Sequence, residues 1–406
     1  MNWIRPASVV FLFLAVGLTG CSKSVGPSCG DGGGGNICSG QCVDVSTDPN
    51  NCGTCGKTCE PGAVCSGGTC ACPVGEMSCG GACVDIKSDV NNCGGCGMSC
   101  GGTGSTCTGG ACEQVIATQQ ATPVALALSS AGVFWINQGT GDVLASGLTG
   151  GTVTTLAQSQ SSPTSICADS QNVYWNVSGA IMTVPAAGGT PSTFFSEPAG
   201  SPTRLAIDSN HLYWTDVNAH AVVSMPLSGG GASTLANGLS NPYAIAAQGG
   251  NVYWSELISA PTKKGEVMRW TPNGGGTYTL IASTGSSDEI LGLAVDANNV
   301  YWVSSLGNVV EASNNGAGTP SILVSNQISP SGITVDATNV YWTTGSVGGG
   351  GGAQPDGTIS TMPIAGGTPS TIAPGQINPS QVAVNATSVY WITNVVGGSV
   401  MRLSPK

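Results

Sequence analysis

Few side chains in this chain could do chemistry, and cysteine supplies a large share of them. The 406 residues hold 18 cysteines, 21 acidic and 10 basic side chains, and only two histidines, His211 and His220. General acid–base catalysis needs a titratable pair within hydrogen-bond reach, and only His220, Glu256 and Asp288 offer a start toward one. Neither histidine stands at a diagnostic spacing from a Ser, Cys or carboxylate partner. The net charge of −11 lacks the basic footprint of a nucleic-acid binder. No cofactor or metal centre is expected.

The first residues read as an address. MNWIRPASVVFLFLAVGLTGC carries Arg5 and then an apolar run from Ala7 to Leu18. That run is shorter than the roughly 20 residues of a membrane-spanning helix and fits the core of a secretory signal. Leu18-Thr19-Gly20-Cys21 resembles the lipobox of bacterial lipoproteins. The resemblance implies a signal peptide over residues 1–20 and lipid on Cys21, followed by a linker to residue 28. Acyl chains on Cys21 would make the membrane a partner. Ser22, rather than Asp, after the cysteine implies the outer membrane or cell surface.

Sixteen cysteines then form two sets of eight. The first is Cys29, Cys38, Cys42, Cys52, Cys55, Cys59, Cys65 and Cys70; the second is Cys72, Cys79, Cys83, Cys93, Cys96, Cys100, Cys107 and Cys112. Both contain C-x3-C-x9-C-x2-C-x3-C at an offset of 41 residues, so residues 29–70 and 71–112 are tandem modules. Modules of about 40 residues with few large apolar side chains cannot fold on a buried core. Disulfides, each contributing about 2–4 kcal/mol, would hold them instead, in a pairing the spacing does not select. Export and the lack of any histidine before His211 argue against zinc at Cys52-x2-Cys55 and Cys93-x2-Cys96. Asp44, Asp48, Asn50 and Asn51 recur as Asp85, Asp89, Asn91 and Asn92. They could ligate calcium, but Asx-turns before a Cys-Gly corner explain them better. The wording CVDxxxDxNNCGxCGxxC resembles the Cys-rich repeat of the plant stigma-specific protein family over residues 38–70 and 79–112. That implies a secreted adhesive or signalling module.

Residues 113–406 keep a different period. Phe134-Trp135 and six Tyr-Trp pairs, at Trp175, Trp214, Trp254, Trp302, Trp342 and Trp391, are separated by 40, 39, 40, 48, 40 and 49 residues. A proline stands twelve residues before the Trp in every copy but the fifth, where Ile290 replaces it. The fold class is therefore all-β: a seven-bladed β-propeller of four-stranded blades, plus two small disulfide-rich modules. The last copy lacks its fourth strand, and Val115-Ile116-Ala117 should supply it, leaving no open edge. Tyr213-Trp214-Thr215-Asp216 resembles the YWTD-type propellers of lipoprotein receptors and, more loosely, NHL-like propellers. That family has six blades, so the resemblance implies the fold and no particular ligand.

One large side chain per blade reads as a wedge between neighbours, and Asp169, Asp208, Asp296 and Asp336 read as turn residues. Cys167 takes a strand position held elsewhere by Ala or Thr, so it reads as a buried small residue. The A–B and C–D turns are short and uniform, whereas the B–C and D–A loops vary in length. Those variable loops and their edges gather Asp142, Asp216, Glu256, Lys263, Lys264, Glu266, Asp288, Glu289 and Asp356, the candidate ligand face. The leading function is a non-catalytic, surface- or periplasm-exposed lipoprotein that recognises a glycan or an envelope or surface protein through that face. The alternatives are a propeller enzyme of lyase or hydrolase type and a purely structural envelope protein.

Overall fold

The computed structural model describes residues 35–101, 104–197, 199–259, 263–272, 277–345 and 356–406. The signal segment, Cys21 and Cys29 lie outside them. Among the described residues all regular elements are β-strands, and the chain divides into two compact units, Met1–Asp85 and Ile86–Lys406.

The first unit is a set of short hairpins, such as Gly35–Cys38 with Gln41–Asp44 and Val64–Ser66 with Thr69–Ala71. Disulfides Cys38–Cys55, Cys52–Cys65, Cys59–Cys70 and Cys72–Cys83 join them. Cys93–Cys107 and Cys100–Cys112 lie in the second unit and repeat two of those pairings. Cys42, Cys79 and Cys96 are also disulfide-bonded. The carboxylate and amide oxygens between the cysteines close turns. Asp48 and Asp89 accept the N–H two residues on, at 2.7 and 2.8 Å, and Asn51 and Asn92 accept Gly56 and Gly97 N–H at 2.9 Å.

The second unit contains the ring. Six four-stranded antiparallel blades run from Pro123 to Gln376, each in the sequential order A, B, C, D from the ring axis outward. Blade 3 is representative: A is Pro202–Ile207, B His211–Asp216, C Ala221–Pro226 and D Ser233–Ala236. The seventh blade has strands A to C at Pro379–Val384, Val389–Thr393 and Val396–Ser404, and its outer strand is Ala111–Ala121. Val400 faces Ala117 and Met401 faces Val115, so a segment from before the first blade closes the last. The expected boundary at residue 113 falls inside that strand, whose start also pairs with Thr106–Thr108 of the second Cys-rich module.

Each of the seven tryptophans of the row is 0–2% exposed and packs against the preceding blade. Trp214 sits with Tyr174 and Ile181, Trp254 with Tyr213 and Val222, and Trp135 with Tyr390 and Val400 across the closure. The wedge reading of the Trp row therefore holds. Cys167 is a free, buried thiol in the Trp214 cluster; burial and nearby Asp169 push its pKa far up, leaving it inert.

The buried indole N–H needs a partner, and four blades supply it in the same way. Trp135, Trp175, Trp342 and Trp391 donate to the side-chain oxygens of Gln120, Gln160, Gln327 and Gln376, each fifteen residues upstream, at 2.8, 3.1, 2.8 and 2.8 Å. The D–A loop that aims each glutamine inward uses left-handed residues just before it (Gln119, Ser159, Asn326 and Gly375) and again before the proline. Blades 3, 4 and 5 carry Ala199, Leu239 and Ser287 at the glutamine position. Their indole nitrogens, on Trp214, Trp254 and Trp302, are without a protein partner.

On the opposite edge, Asp169, Asp208, Asp296 and Asp336 end strand A as expected turn residues. Each accepts two backbone N–H groups of the A–B turn through Oδ1, all at 2.7–2.9 Å. Each Oδ2 also accepts the hydroxyl of the blade's tyrosine, for example Tyr213 at 2.8 Å and Tyr301 at 2.9 Å. Blade 1 has Phe134 in place of the tyrosine, and Ser129 in place of the aspartate.

Two predictions follow from these contacts. Gln376→Leu should cost about 1–3 kcal/mol in urea unfolding by orphaning Trp391 Nε1; a cost under about 0.5 kcal/mol would contradict the assignment. Burial, with the neighbouring carboxylates, raises the pKa of Tyr174 and Tyr341 to about 12, and those of Tyr213 and Tyr301 further. A raised phenol pKa stabilises the fold fully below the ordinary value of about 10 and loses that contribution as pH climbs above it. These four phenols should therefore ionise only with loss of near-UV circular dichroism; phenolate absorbance growing near pH 10 in the folded chain for all tyrosines would contradict this.

Candidate functional site

The D–A and B–C loops meet on one face of the ring, at the first residues of strand A and the last of strand B. Asp216 ends strand B of blade 3 and is 0% exposed. Its oxygens accept Ser201 N–H at 2.9 and 2.8 Å, and Oδ1 also accepts Asn218 and Ala219 N–H at 3.0 and 2.8 Å. It is a loop clamp withdrawn from the surface, not a ligand-facing group. In the same position of blade 4, Glu256 accepts Ser240 N–H. Blade 5 has Ser304 there, and its carboxylate stands in the D–A loop itself, where Asp288 accepts Leu306 N–H of the B–C loop at 3.1 Å. Carboxylates thus hold the D–A loops in the three blades that lack the glutamine.

The other expected charges are more exposed. Lys263 pairs with Glu289, and Lys264 with Glu266 at 2.7 Å. Asp142 accepts Ser159 N–H at 3.3 Å, and Asp356 is exposed before strand Gly357–Pro363. His220 is exposed in a left-handed turn (φ 53°), and among the described residues no hydrogen bond links it to Glu256 or Asp288.

Neither loop length nor clustered charge in the sequence marks the centre of this face. Strands A of all seven blades line a central cavity of about 210 Å³. Its walls are Ala, Leu, Ile, Gly, Ser, Thr and Gln, with one cation, Arg204, two residues past Pro202. A register shift between Pro202 and Arg204 makes the strand bulge there. Arg204 Nη1 donates to Thr164 O at 2.9 Å and Nη2 to Tyr243 Oη at 2.6 Å, with the guanidinium 4.8 Å from the centre of the Tyr243 ring. Among the described residues no carboxylate lies within ion-pair distance of it. Tyr243 also lines a recess of about 260 Å³ with Asn241, Ser255, Glu256, Glu289 and Leu291, so cavity and recess meet at this pair. In the aligned repeats, Ala125, Ser165, Ala244, Gly292, Gly332 and Gln381 take the Arg204 position.

No curated relative matches the chain in sequence. Among solved structures, a streptogramin B lyase is 14% identical over 73% of this chain and 97% of its own, with a TM-score of 0.58. The WD40 β-propeller domain of Doa1 is 12% identical over 72% of this chain and 97% of that one, with a TM-score of 0.54. A chain of a nidogen/laminin complex, 20% identical over 60% of this chain and 94% of its own, reaches 0.46. At such identities the first two show a shared fold. Residues 21–73 match the stigma-specific STIG1-like protein family. The chain thus joins a Stig1-like Cys-rich module to a seven-bladed β-propeller.

Proposed function

We propose that this is an exported, non-catalytic binding protein, lipid-anchored through Cys21 at the outer membrane or cell surface. The Cys-rich modules carry the propeller, and its D–A/B–C face takes the ligand at the mouth of the central cavity. The observation that supports this most is Arg204. A guanidinium lining a cavity without a carboxylate partner is costly unless its remaining donors are used, and its forked geometry suits a carboxylate. Tyr243 and the Thr164 carbonyl hold it in place before any ligand arrives, which lowers the ordering cost of binding. The ligand class is a carboxylate-bearing glycan or protein segment. The adjoining Lys263–Glu289 pair and Glu256 would discriminate among such ligands rather than attract all anions.

The non-catalytic reading draws on the same geometry. Glu256 and Asp288 spend oxygens on backbone N–H groups, and among the described residues no hydrogen bond links the exposed His220 side chain to either. The proposal is tested by thermal unfolding of the oxidised chain with glucuronate and with an acidic peptide, using glucose as the neutral control. Both carboxylates should raise the melting temperature of the parent and leave Arg204→Gln unchanged. No rise in the parent, or an equal rise in the variant, would contradict the assignment.

A further inference from the structure

A second cavity lies on the other face, where the sequence shows only short, uniform turns. It is a groove of about 550 Å³ between blades 3 and 4, within the size range of small-molecule sites. Three departures from the repeat meet there. Trp270, half-buried at the end of strand C in blade 4, stands where Met225 and Met362 stand in blades 3 and 6. It is the one described tryptophan outside the wedge row. His211 opens strand B of blade 3, where four other blades have Asn172, Asn251, Asn299 and Asn339. The A–B turn of blade 4 is Gly249-Gly250, both left-handed at φ 57° and 79°. A Cβ on Gly249 would meet nothing within 4 Å, and one on Gly250 only Pro272 at 3.8 Å, so this turn leaves the groove open.

The chemistry of the walls is specific. Trp270 and His211 bring aromatic surface, and Ser209, Asn210 and Gln248 bring neutral donors and acceptors. The one carboxylate, Asp208, is already occupied: Oδ1 by Asn210 and His211 N–H, Oδ2 by the Tyr213 hydroxyl. An aromatic platform beside amides and hydroxyls, with no unspent charge, fits the apolar C–H face and the hydroxyl rim of a pyranose. We infer that this groove is a binding site for a neutral saccharide, separate from the Arg204 cavity and on the opposite face of the ring.

The test uses variants that restore the repeat's own residues, Trp270→Met and His211→Asn, so that the blade keeps its packing. Saturation-transfer NMR and calorimetry with the oxidised chain would screen glucose, galactose, mannose, N-acetylglucosamine and their linear trisaccharides. At least one should bind the parent, and each variant should weaken it by about tenfold or more while retaining the parent's near-UV circular dichroism. Absence of binding by every sugar in the parent overturns the inference, as does equal affinity in a folded Trp270→Met. If Trp270→Met does not fold, His211→Asn decides alone, and unchanged affinity there counts against the groove.

Discussion

The whole ring depends on one strand pairing, Ala111–Ala121 against Val396–Ser404. Each blade rests its Trp on the blade before it, so a ring of seven has no first member only if blade 7 is complete. Closure completes it, burying Ile116, Ala117 and Val400 with Trp135 of blade 1 in one cluster. Without that pairing, blade 7 would present an open edge to solvent, and Trp135 would lose one side of its cage. The closing strand also begins at the Cys100–Cys112 disulfide, so the covalent staple of a Cys-rich module is tied directly to the edge that seals the ring.

On this closed frame the blades divide the work. Blades 1, 2, 6 and 7 use glutamine to hold the D–A loop and to satisfy the buried indole together. Blades 3, 4 and 5 give the loop to a carboxylate and leave the indole unpartnered. That substitution costs hydrogen bonding, and the same sector carries Arg204, Tyr243, the Lys263–Glu289 pair and, on the other face, Trp270 and His211. Departure from the repeat is therefore concentrated in adjacent blades on both faces. A rigid ring with one irregular sector is an arrangement suited to recognition, since regular blades fix the geometry that irregular ones present.

The fold was legible because its determinants recur. Seven aromatic-Trp pairs, a preceding proline and a missing last strand define blade number and closure, and cysteine spacing marks the modules. The disulfide pairing was not legible, because spacing alone does not say which sulfurs approach. The site was only partly legible. Clustered charge drew attention to the D–A/B–C loops, but charge in sequence does not report burial, and Asp216 proves to be a buried clamp. Arg204 is not marked by loop length or by clustered charge, because it sits inside strand A; setting the seven repeats side by side isolates it as the only charge in its column. Trp270 and His211 are found in the same way. Uniform turn lengths conceal the other face, because the side chains on those turns differ.

The central claim is that one pairing holds seven blades as a single cooperative body. Amide hydrogen exchange on the oxidised chain, with and without residues 113–117, tests it most directly. The account predicts that deletion accelerates exchange in strands A of every blade together, including Arg204 and Leu205 on the far side of the ring. Faster exchange confined to blades 7 and 1, with the other blades protected as in the parent, would contradict it.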